Sequence, residues 1–127
     1  MKENEIGKEV VDAAIAIHRE LGPGLFESVY ELILEYELKS RGLNVQRQVS
    51  IPIKYRDLEF DEGFKADMIV EGKVLLELKS LEKMTKVHWK QIVTYLKLSD
   101  LKLGYLLNFG EALMKDGIKR VVNGLEE

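Results

Sequence analysis

The hydrophobic period of this chain changes three times, and those changes limit its fold more than any other feature. Ile6, Val10, Ala13, Ala14, Ile17 and Leu21 recur at three- and four-residue steps, the stripe of an amphipathic helix. Gly22-Pro23-Gly24 ends it, because proline cannot continue a helix. The spacing predicts a second helix over about Phe26–Ser40, with Val29, Leu32, Ile33 and Tyr36 on one side and Gly42 as its stop. From Val45 the period becomes two, and Val45, Val49, Ile51, Ile53 and Tyr55 share one parity of a strand. A short strand near Leu58–Phe60, a loop at Asp61-Glu62-Gly63 and a hairpin of Phe64–Val70 with Lys73–Lys79 follow. Helical spacing returns over about Thr85–Leu98, with Val87, Ile92, Tyr95 and Leu96 as packing residues. Leu103–Asn108 and Ile118–Val122 read as closing strands. The order ααββββαβ(β) is that of an α/β chain on the border with α+β, a mixed sheet flanked by helices.

A length of 127 residues fits one domain, 1–127, and 46% apolar with 32% charged residues excludes a disordered chain. With no cysteine and only His18 and His88, disulfides, thiolate chemistry and a Cys- or His-built zinc site are excluded. No apolar stretch approaches the ~18 residues of a membrane span, and none follows the N-terminal lysine as in a signal peptide. The expectation is a cytoplasmic protein without membrane contact. The net charge of −3 argues against a tight, general polyanion binder. It is unevenly spread: residues 1–72 carry 9 Lys/Arg against 15 Asp/Glu, whereas residues 73–102 carry 7 Lys against 3 Asp/Glu. A polyanion could meet a local positive surface on an acidic protein.

Asp67 inside FKADMIV, and Glu77 and Lys79 inside KVLLELKS, are charges where buried strands should have none. Glu77 and Lys79 share a face by parity. A two-residue loop at Glu71-Gly72 would pair Asp67 with Leu76 and part the carboxylates, and it needs positive φ at Glu71. A three-residue loop, Val70-Glu71-Gly72, needs positive φ only at Gly72 and makes Asp67 and Glu77 diagonal neighbours on one face. The second register is the expectation. Two carboxylates and the backbone carbonyl of Leu78, between Glu77 and Lys79, suit Mg²⁺ or Mn²⁺, which prefer oxygen. Lys79 would then face charge developing on a phosphate; otherwise it is a structural salt bridge to Asp67 or Glu77. Glu27 either favours a helix dipole or joins this site. Gln91 and Tyr95 lie one turn apart on the third helix, and Lys86, Lys90 and Lys97 there could touch phosphates. His88 beside Trp89 reads as structural, and His18 as a packed or hydrogen-bonded side chain.

Asp67, Glu77-Leu78-Lys79 and Gln91-Ile92-Val93-Thr94-Tyr95 together resemble the D…(D/E)xK…QxxxY pattern of the PD-(D/E)XK nuclease superfamily. Gly24-Leu25-Phe26-Glu27-Ser28-Val29-Tyr30 resembles the signature of its GxxExxY branch, and the likeness continues through LKLGYLLNFG and DGIKRVVN. Ala66 stands where the motif's name has proline. The resemblance implies a restriction-endonuclease-like core. Asp67, Glu77 and Glu27 would be metal ligands, Lys79 the catalytic lysine, and Gln91 and Tyr95 the groups that orient the site or its substrate. The function expected is a Mg²⁺- or Mn²⁺-dependent nuclease acting on DNA, with RNA second, and with Lys86 and Lys90 on substrate phosphates. The alternative is a catalytically silent module that binds nucleic acid or a protein partner. A chain this short has little surface to wrap a duplex, so a homodimer or a larger protein partner would fit either reading.

Overall fold

The computed structural model describes residues 1–126. Three helices, α1 (Glu3–Leu21), α2 (Glu27–Ser40) and α3 (Lys86–Ser99), accompany strands β1 (Val45–Tyr55), β2 (Leu58–Val70), β3 (Val74–Lys79), β4 (Leu103–Asn108) and β5 (Ile118–Val122). The sheet runs in the order β1-β2-β3-β4-β5. Only β3 and β4 are parallel, because α3 carries the chain back between them; the other neighbours are antiparallel. This is the expected mixed sheet with helices, in its α+β form. No described helix is long and apolar enough to cross a membrane.

Each face of the sheet buries its own core. Met68, Val70, Leu76, Leu78 and Leu107 pack with Ile6, Val10, Ile17, Tyr30 and Leu34 of α1 and α2. Ile51, Ile69, Leu75, Leu106 and Val121 pack with Ile92 and Leu96 of α3. Each such side chain contributes roughly 1.5–3 kcal/mol relative to exposure. Strands β3 and β4 lie between the two cores and are apolar on both faces, so Glu77 stands out against them.

Four local expectations are corrected. Leu58–Phe60 and Phe64–Val70 form one strand, because the expected loop at Asp61-Glu62-Gly63 is absorbed as a bulge opposite Pro52. Gly63 lies against the Ile53 side chain, where a Cβ would not fit. The β2–β3 loop is Glu71-Gly72-Lys73, with Val70 paired to Val74, so neither register expected from the sequence is adopted. Glu71 takes φ 54°, unfavourable for Glu, and is held there from two sides. Its N–H donates to Asn44 O at 2.8 Å, and its carboxylate accepts from Asn44 N–H at 2.7 Å.

Val45 does not share a face with Val49 and Ile51: it packs toward α1 and α2, they toward α3. The reversal falls at Gln48, whose φ is 52°. Finally, α2 buries Tyr30, Glu31, Leu34 and Leu38, while Val29, Leu32 and Tyr36 face solvent, as does Val87 of α3.

Candidate active site

The observed register extends from Met68↔Leu76 to place Asp67 directly across from Glu77, on the face toward α3. Here the backbone ladder stops and the side chains take its place. Asp67 Oδ2 accepts a hydrogen bond from Leu78 N–H at 2.9 Å, and Glu77 Oε2 accepts from Asp67 N–H at 3.2 Å. On its other side Asp67 lies opposite Gln48, where the β1–β2 pairing skips a residue pair without changing register. Asp67 is thus the point at which β2 loosens from both neighbours.

Asp67, Glu77 and Lys79 line one cavity of about 140 Å³ with Gln91 and Tyr95 of α3. Tyr95 is held by a parallel stack on Phe64, ring centroids 4.0 Å apart. Among the described residues, no ion pair joins Lys79 to Asp67 or Glu77. The salt-bridge alternative for this lysine is therefore not realised. Its backbone is fixed instead: Lys79 O accepts from Phe109 N–H at 2.8 Å. Buried Asn108 closes the following loop with three hydrogen bonds to Leu81 and Gly110.

Burial, then hydrogen bonding with Asp67 and its negative charge, push the Glu77 carboxyl up to about 9; Lys79 draws it the other way. Burial and the same two acids raise Tyr95. Two facing carboxyls that retain a proton form an oxygen-only donor set that a hard divalent cation would complete.

Glu27 opens α2 on a neighbouring groove of about 440 Å³, whose wall includes Asp67, Glu31 and Gln48. The loop before it is tied down by Tyr30, whose hydroxyl donates to Gly22 O at 2.5 Å and accepts from Leu25 N–H at 3.2 Å. Ser80 Oγ, one residue beyond Lys79, donates to Leu25 O at 2.6 Å. The glycine, glutamate and tyrosine of Gly24-x-x-Glu27-x-x-Tyr30 thus form a mechanical unit: Gly24 supplies φ 106°, Tyr30 fastens the turn, and Glu27 is delivered beside Asp67.

A protein-family model for the PD-(D/E)XK nuclease superfamily matches residues 4–121, nearly the whole fold and every residue of this site. The chain belongs to that superfamily. No curated protein and no solved structure matches it. The mixed five-stranded sheet agrees with a PD-(D/E)XK nuclease domain, and membership points to nuclease-type function. Among the described residues, no three His, Asp or Glu side chains converge as a ready metal cluster. Lys86 and Lys90 line a different groove, on the β5 side of α3.

Sequence reasoning did not place four residues of this nuclease-like site. His88 and Lys65 line the acid cavity. His88 Nδ1 also accepts from Thr85 N–H at 3.2 Å, capping α3. Glu31 and Gln48 stand beside Glu27 and Asp67. Buried Glu31 accepts from Arg47 at 2.8 Å and from Gln48 at 2.9 Å. Its one available signal was its position four residues after Glu27, on the same side of α2.

Proposed function

We propose that this chain is a Mg²⁺- or Mn²⁺-dependent nuclease of the GxxExxY branch, hydrolysing phosphodiester bonds in DNA, with RNA a second substrate. The observation that carries this reading is the acid pair Asp67 and Glu77 facing across parted strands, with Lys79 unpaired in the same cavity. Asp67, Glu77 and the Leu78 carbonyl would hold the cation, with Glu27 approaching from the adjoining groove. Bound there, the cation supplies Lewis acidity for phosphoryl transfer. Lys79, half-buried in the same cavity, directs its ammonium toward the negative charge that develops on the phosphate oxygens. Gln91 offers an amide to orient the attacking water or the phosphate, and Tyr95 walls the site. Incubating the chain with duplex, single-stranded and branched DNA and RNA, with Mn²⁺, Mg²⁺ or chelator, tests the reading. Metal-dependent products, absent from an identically purified Glu77→Ala variant, are expected; products from both proteins would refute it.

The absence of a three-ligand cluster among the described residues favours a second reading, a silent nuclease-fold module that binds nucleic acid or a protein. In that case neither protein cleaves, and Mn²⁺ fails to bind by calorimetry.

A further inference from the structure

Lys86 and Lys90 do not face the acid cavity. They line a groove of about 590 Å³ between α3 and β5, together with Trp89, Lys119 and Asp116. Trp89 is 39% exposed, and Lys119 Nζ lies 5.6 Å from its ring centroid. No described ion pair engages Lys86, Lys90 or Lys119, so three ammonium groups without a carboxylate partner, one of them held over the indole itself, and the Asp116 carboxylate surround a flat aromatic surface. The groove adjoins the acid cavity: Leu106 lines both, and Gln91, which follows Lys90 on α3, lines the latter.

We infer that this groove is a subsite for an unpaired nucleotide, which makes the substrate a single strand or the single-stranded part of a branched nucleic acid. The inference takes from the nuclease reading only the fate of the strand; binding in the groove stands apart from it. A base in a duplex has both faces covered by its neighbours, whereas an unpaired base can lay its face on an indole while lysines hold the flanking phosphates. The lysines alone would accept any phosphate chain. The indole is what selects for an uncovered base. A strand seated here leads along α3 toward Lys79 and the acid pair.

Trp89 is the sole tryptophan of the chain, so fluorescence excited at the red edge, where its five tyrosines do not absorb, reports this groove alone. The full chain in chelator is titrated with oligothymidylate, oligouridylate, a duplex of matched length and inorganic polyphosphate. Quenching by the single strands, and little by duplex or polyphosphate, is expected; the two oligonucleotides separate DNA from RNA. By anisotropy of a labelled strand, Trp89→Ala weakens binding by about 10-fold or more, Trp89→Phe restores most of it, and Lys119→Ala lowers the salt dependence. Single strands that bind without quenching, or a folded Trp89→Ala variant that binds as well as wild type, would overturn the subsite. No cleavage enters this measurement, so that result leaves the nuclease reading standing, and a chain that never cleaves can still show the quench.

Discussion

Asp67 and Glu77 each bind the backbone of the opposite strand: Asp67 takes the N–H of Leu78, and Glu77 takes the N–H of Asp67. The two acids therefore substitute for ladder hydrogen bonds while holding both carboxyls in one cavity. In such an arrangement, folding stability and ion binding depend on the same four oxygens.

The first consequence is a pH-dependent cost. Glu77 titrates near 9 in the fold, against an ordinary 4.5. Between those values the native chain holds a proton that the unfolded chain has released, so stability falls as pH rises through that window. Glu77→Gln removes the titration and keeps an acceptor for Asp67 N–H. In chelator, urea denaturation should find it about as stable as wild type near pH 4 and more stable at pH 8, by about 2 kcal/mol. Mn²⁺ should raise the melting temperature of wild type and leave the variant's unchanged. A variant less stable than wild type at pH 8 would contradict this.

Lys79 makes no described ion pair, so its loss should separate chemistry from stability. For Lys79→Ala we expect cleavage to fall by about 10²–10³-fold, while the unfolding free energy moves by roughly 0.5 kcal/mol or less. Single-turnover cleavage and denaturation of the same preparation check both halves. Retained turnover would remove this lysine from the mechanism.

Tyr30→Phe keeps the stack on Phe109, whose ring centroid lies 4.5 Å away, and deletes only the hydroxyl that fastens the Gly22–Leu25 turn. We expect a loss of about 1 kcal/mol in stability. Cleavage should fall by about 10-fold, because Glu27 is delivered by that turn. An unaffected rate would mean that this fastening does not position Glu27 for the reaction.

Asn108→Ala leaves Leu81 N–H, Leu81 O and Gly110 N–H without their shared partner. The side chain is fully buried, so about 2–3 kcal/mol of stability should be lost, read by thermal or urea unfolding. Hydrogen exchange should rise first in the Ser80–Glu82 loop.

The helices, the β3–α3–β4 crossover and the identities of the paired acids were legible because each rests on local spacing. What escaped is set by contacts that residue spacing does not encode. Glu71 adopts positive φ because Asn44, 27 residues earlier, grips it through both backbone and side chain. In an isolated hairpin glutamate would avoid that conformation; here the Asn44 contacts outweigh the preference. Gln48 reverses the alternation of β1, and no residue beside it announces the reversal. On α2, Val29, Leu32 and Tyr36 form as apolar a stripe as the buried one, so periodicity alone could not choose the inward face. The triplet Gly24, Glu27 and Tyr30 was visible, but its mechanical sense required seeing the Tyr30 hydroxyl reach Gly22 and Leu25.

Asp67 lines both the cavity beneath α3 and the groove beside Glu27. That position follows from the two interruptions flanking it, Gln48 in β1 and Glu77 in β3. A sheet normally partitions its two sides, so that a group on one side is invisible from the other. At Asp67 the partition has a window. Substitutions on α2 and on α3, helices that share neither a core nor a face of the sheet, therefore act on the same carboxylate from opposite directions, and the sheet between them insulates neither from the other.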